Sequence, residues 1–106
     1  MTTRMTLKLA TLSVVLFAGN AIAADSEAGK KIGSSVCAGC HGVNGVSAAD
    51  PFPNLAGQKP GYLKNALKAY KEGTRKADIM NNMAANLSDQ DMDNVAAYFS
   101  SLKPAP

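Results

Sequence analysis

Apolar positions along this chain repeat with a helical period in two stretches. After Pro60, which suits a helix first turn, Leu63, Leu67 and Tyr70 fall at i, i+4 and i+7, and Gly73 marks a stop. Near the C-terminus Met92, Val95, Ala96, Phe99 and Leu102 form a second stripe, which is read as core, and Pro104 ends it. Ser88 with Asp91 three residues on resembles a capping box, and Asp89 and Asp91 suit the positive end of the helix dipole. Two shorter helices are expected, at Asp25 to about Val36 and at about Ala77 to Ala85. Between them, Gly42 to Lys59 is rich in Gly, Pro, Asn and Ser and reads as an irregular loop. Loops that long in small domains are usually functional. No strand alternation is evident, so the chain is expected to be all-α.

Gly29 and Gly33, four apart on the first of these helices, share a face and would let another helix approach closely. Local helix weakness explains them equally well.

The N-terminal stretch has a different pattern. Arg4 and Lys8 precede the apolar run Leu9 to Ala18, and Ala21-Ile22-Ala23 gives the small-x-small pattern of a signal peptidase site. Ten helical residues rise about 15 Å against a hydrocarbon core of roughly 30 Å, too short to span. Residues 1–23 are therefore expected to be a cleaved signal peptide and residues 24–106 the mature domain. Export to the periplasm follows, with no membrane span in the mature chain.

Cleavage changes the charge. The whole chain carries 11 basic and 8 acidic residues, net +3. Without Arg4 and Lys8 the net charge falls to +1. A nucleic-acid partner then lacks the basic footprint it requires. The mature domain is small enough to need a staple. Its 2 cysteines lie three apart and cannot brace a fold, and 2 Cys with 1 His fall short of the four ligands of structural zinc.

Cys37-Ala38-Gly39-Cys40-His41 is the c-type haem attachment motif. Two thiols three residues apart can each bond a vinyl group of one porphyrin while the adjoining His reaches the iron. A thioredoxin-like dithiol would expect a βαβ context, which is missing here. One covalent haem c is therefore the expected cofactor, and an apolar disc at the centre of the core would supply the staple.

Three segments in order carry a resemblance: Cys37-Ala38-Gly39-Cys40-His41-Gly42, Phe52-Pro53-Asn54-Leu55-Ala56-Gly57-Gln58, and Met80 to Phe99. Together they resemble a class I cytochrome c, most closely the short bacterial monohaem members and each half of the dihaem members. The resemblance covers essentially the whole mature chain. It implies about four helices around one haem, with thioethers at Cys37 and Cys40 and His41 as proximal ligand. It also implies that the Pro53 carbonyl accepts a hydrogen bond from the other imidazole nitrogen, fixing the tautomer.

The sixth ligand must come from Met80, Met83 or Met92. Met92 lies in the core stripe. Met83 shares a face with Ile79 and Leu87, which predicts packing, while Met80 sits about 100° off that face. Periodicity favours Met80 only modestly. In similar family segments the ligand is the Met seven residues before a Leu-Ser pair, which from Leu87-Ser88 is Met80.

The resemblance implies a monomeric carrier of single electrons with no catalytic residues. Its partners would be redox proteins, such as a membrane-bound oxidase or reductase complex or a periplasmic dehydrogenase. Two other functions fit the same motif: a haem subunit fixed to a dehydrogenase, and a haem enzyme or gas sensor with a displaceable distal Met. Lys64, Lys68 and Lys71 form a basic row that reads as a solvated face, with docking as the alternative. Tyr62, Tyr70 and Arg75 could contact haem or its propionates, though packing and surface roles explain them equally well.

Overall fold

The computed structural model describes residues 2–13 and 23–106. Half of the expected leader run, residues 14–18, and the Ala21-Ile22 part of its cleavage pattern lie outside the described residues. Among the described residues all regular structure is helical, and no helix is long and apolar enough to cross a membrane.

Helix α1 (Ser26–Ile32) starts as its sequence suggests, because the Asp25 carboxylate accepts hydrogen bonds from the Glu27 and Ala28 amides at 3.0 and 3.1 Å. It does not stop near Val36. A π-helical turn (Gly33–Cys37) joins it to α2 (Ala38–His41), so one helical rod reaches His41. Gly33, Ser34 and Ser35 are weak helix formers, but both serines bond back. Their hydroxyls donate to the Lys30 and Lys31 carbonyls, each at 2.5 Å, satisfying carbonyls that a widened turn disturbs.

After the loop, α3 (Pro60–Glu72) has Pro60 in its first turn and ends at Gly73, whose φ of 78° is left-handed. Helix α4 (Asp78–Ala85) is short, and Ala77 before it offers no capping side chain. Helix α5 (Asp89–Ser101) opens with the expected capping box: the Asp91 amide donates to Ser88 Oγ at 3.0 Å and the Ser88 amide donates to Asp91 Oδ2 at 2.9 Å.

The first and last helices cross at Gly29. A Cβ there would lie 1.9 Å from the Asn94 carbonyl oxygen, so backbone meets backbone with no room for a side chain. One turn on, a Cβ at Gly33 would lie 2.8 Å from the Tyr98 ring. The buried Asn94 side chain extends the crossing, its Oδ1 accepting from the Asp25 amide and from Gln90 Nε2, both at 2.8 Å. Leu63, Val95, Ala96, Tyr98 and Phe99 form the core beside the crossing, while Met92 and Phe99 are fully enclosed. Met92 is thus core, as its stripe predicts.

The long loop is also held in place. The Gly45 carbonyl accepts from the Leu55 and Ala56 amides at 2.8 and 2.9 Å, and Asn54 Oδ1 accepts from the Ser47 amide at 2.8 Å. Gly57 N–H donates to the Phe99 carbonyl at 2.9 Å and Tyr98 Oη donates to the Val43 carbonyl at 3.1 Å, pinning the loop to α5.

Gly29→Ala is expected to cost roughly 3 kcal/mol, because a methyl group pressed on the Asn94 carbonyl can be accommodated only by parting two helices. Urea unfolding of the haem-loaded protein measures it. A loss below about 0.5 kcal/mol, the scale of a neutral surface change, would contradict the crossing.

Candidate haem site

The helical rod, the loop, α3, α4 and α5 enclose a cavity of about 630 Å³, within the range of roughly 300–1,000 Å³ typical of small-molecule and cofactor sites. Its walls are mainly apolar and aromatic. Cys37, Cys40 and His41 line one side and the loop residues Phe52 and Pro53 adjoin them. Leu63 and Leu67 of α3, Val95 and Phe99 of α5, and Ile79, Met80 and Met83 of α4 supply the rest. All five of the expected site residues, Cys37, Cys40, His41, Pro53 and Met80, therefore border one cavity. Such walls suit a large apolar disc, and the donors it needs stand among them.

His41 is buried at the end of the rod. Its Nδ1 lies 2.8 Å from the Pro53 carbonyl oxygen. A carbonyl only accepts, so Nδ1 carries the proton and Nε2 keeps a free lone pair, the form of imidazole that binds a metal. The Phe52 ring packs edge-on beside the imidazole, centroids 6.5 Å apart and planes at 64°. Nothing in the residue pattern marks this contact in advance. Phe52 gives no periodic signal because the loop has no period.

Cys37 and Cys40 form no disulfide. Burial pushes the Cys37 thiol up to about 11. Dithiol exchange uses the opposite, a lowered thiol in electropositive surroundings, so Cys37 does not offer the activated thiolate that such exchange needs.

On the α4 side the structure departs from one expectation. Met83 and Ile79 were expected to pack into the core, but they are 42% and 54% exposed. Both line the cavity, as does half-buried Met80. Their helical period therefore marks a cofactor-facing surface as well as a protein core, and periodicity does not separate Met80 from Met83.

Tyr62, Tyr70 and Arg75 also line the cavity. The Arg75 guanidinium lies 4.8 Å above the Tyr70 ring and its Nη1 is 3.5 Å from Tyr62 Oη. The lysine row is partly engaged within the protein. Lys64 pairs with Asp93 at 2.7 Å, and Lys71 Nζ donates to the Leu87 carbonyl.

Comparison with known proteins now decides the family. Residues 26–103 match the cytochrome c family. The chain is a class I c-type cytochrome. It is 47% identical over 83 residues to cytochrome c-554(548) of Halomonas halodenitrificans, covering 74% of this chain and 98% of that one. Against cytochrome c4 of Pseudomonas aeruginosa it is 44% identical over 85 residues, 80% of this chain and 42% of the relative. The solved cytochrome c4 of Acidithiobacillus ferrooxidans superposes with a TM-score of 0.72 at 38% identity, covering 78% of this chain and 53% of that structure. The chain thus spans nearly all of the Halomonas cytochrome but about half the length of the cytochrome c4 relatives. The fold is that of class I cytochrome c, the cofactor is covalent haem c, and this cytochrome is an electron-transfer haem protein.

Covalent attachment has a direct consequence. Haem should stay with the polypeptide in acidified acetone, and mass spectrometry should find one haem per chain. Extraction of free haem would contradict the attachment.

Proposed function

We propose that this cytochrome is a monomeric periplasmic carrier, released from residues 1–23 on export, that passes single electrons between larger redox proteins. In this reading Cys37 and Cys40 would hold the haem through thioethers, while His41 and Met80 would supply the two side-chain ligands to its iron. The observation that carries it is the Nδ1–Pro53 contact at 2.8 Å, which leaves the His41 Nε2 lone pair as the ring's ligating atom on a cavity that Met80 also lines.

When bound, the haem supplies the Fe(III)/Fe(II) couple. The rest is the work of the chain. The Pro53 carbonyl holds the His41 proton on Nδ1 and raises the basicity of Nε2. The Met80 thioether favours the reduced state and so raises the potential. With His41 and Met80 both holding the iron, no coordination site would remain for a substrate. Leu63, Leu67, Val95 and Phe99 keep water from the site, so charge changes in a low-dielectric setting. His41 sits on a rod locked at the Gly29 crossing and against the loop, which keeps rearrangement on electron transfer small.

Among the three methionines, the position seven residues before Leu87-Ser88 favours Met80. Replacing each cavity methionine in turn tests the assignment. Met80→Ala should lower the reduction potential by on the order of 0.1 V, a fraction of the roughly 0.8 V over which axial ligands set haem potentials. Met83→Ala should leave the potential near wild type. A drop confined to the Met83 variant would transfer the ligand role to Met83. The same preparations, isolated from the periplasm, should begin at or within a residue or two of Ala24; a chain that keeps Arg4 and Lys8 would contradict export.

A further inference from the structure

The distal wall has a weak point in its own helix. Helix α4 has only eight residues, short of the length at which a helix is stable by itself, and Ala77 at its start has no capping side chain. The side chain that fills the gap comes from inside the helix. Asn81 Oδ1 accepts a hydrogen bond from the Ala77 amide at 2.8 Å, and the Asn81 amide donates to the Ala77 carbonyl at 2.8 Å, so the two residues clasp each other. Asn81 Nδ2 uses both protons as well. It donates to the Tyr70 carbonyl at the end of α3 and to the Arg75 carbonyl in the connecting turn, each at 2.8 Å. One amide thus joins the end of α3, the turn and the first residues of α4. Its neighbour in sequence is Met80.

We propose that Asn81 is a positioning residue for the distal ligand: by locking the start of α4 it holds the Met80 thioether at the sixth position and keeps that position closed to outside ligands. The proposal rests on the assignment of Met80 as ligand. Among the described residues, no other side chain hydrogen-bonds to both α4 and the segments before it. Asn81 reaches three backbone segments within a dozen residues of chain, and a shift of any one of them turns α4 and carries Met80 with it. The Lys71–Leu87 contact ties down the far end of α4 but leaves its start free. The cost of losing Asn81 should therefore fall on ligand retention before it falls on the fold.

The test uses the oxidised, haem-loaded protein and imidazole as the competing ligand. Imidazole binds only when the thioether has left, so its apparent affinity follows the fraction of open protein. Asn81→Ala, which removes three hydrogen bonds, should raise that affinity roughly tenfold or more. Asn81→Asp keeps the acceptor for the Ala77 amide but sets a carboxylate oxygen against the Tyr70 and Arg75 carbonyls in place of both donors, and should raise the affinity at least as far as Asn81→Ala. Ser88→Ala serves as the stability control, since it removes the α5 cap without touching the start of α4. It should lower the urea midpoint while leaving imidazole affinity at the wild-type value. Equal gains in Asn81→Ala and Ser88→Ala would overturn the proposal by reducing Asn81 to a general stabiliser, and wild-type affinity in Asn81→Ala would overturn it outright. Met80→Ala, measured alongside, separates the proposal from its premise. Wild-type imidazole affinity in Met80→Ala removes Met80 as ligand and the proposal with it, whereas a large gain there with none in Asn81→Ala keeps the ligand and removes only the role of Asn81.

Discussion

The backbone contact between Gly29 and the Asn94 carbonyl governs the geometry of this cytochrome. Because the rod from Ser26 to His41 is continuous, the point at which α1 crosses α5 also sets where Cys37, Cys40 and His41 stand. The π turn between the crossing and the motif adjusts the phase. A π turn takes more residues per revolution than an α turn, so the cysteines are rotated relative to where an unbroken α-helix would carry them. The glycines can then face α5 while the attachment residues face the cavity. Ser34 and Ser35 hold that turn through their own hydroxyls.

The two sides of the site are built differently. The proximal side is over-determined: His41 is buried, bonded to Pro53 and packed by Phe52, and the loop carrying those two residues is pinned to α5. The distal side rests on a short helix whose start is joined to the rest by the hydrogen bonds of one side chain, Asn81. A porphyrin filling the cavity would cover Ile79 and Met83, so the cofactor itself completes the wall. This division matches a protein that must grip its haem firmly and can use the distal side to tune the potential. Its surface charge points the same way. Lys64 is paired with Asp93, which leaves the lysine row a weaker electrostatic beacon than its sequence spacing suggests.

Much of this was legible in the residues, for local reasons. The haem motif is a contiguous string, the Ser88 capping box spans four residues, and the Gly29–Gly33 spacing marks a face with no side chains. Each signal needs no knowledge of what lies across from it. What escaped depended on distant partners. The Ile79–Met83 face looked like core because a helical period reports only that a face avoids solvent, and does not say whether protein or cofactor covers it. The rod past Val36 was missed because Cys37 to His41 has no apolar period to extend the helix, and its continuation runs through a π turn that a 3.6-residue pattern does not report. Asn81 was missed because it caps α4 from within, where no standard cap position points to it. The long loop was legible as irregular, but the ties from Gly57 and Tyr98 to its anchors are long-range contacts that composition does not encode.

The central claim is that two side chains of this chain, His41 and Met80, close both axial positions of its haem. Exposure of the reduced, haem-loaded protein to carbon monoxide tests it most directly. The claim predicts a six-coordinate, low-spin spectrum that carbon monoxide leaves unchanged. Rapid formation of a carbon monoxide adduct by the wild-type protein would show an open or easily vacated sixth position, and would contradict the carrier in favour of a gas-binding or catalytic haem.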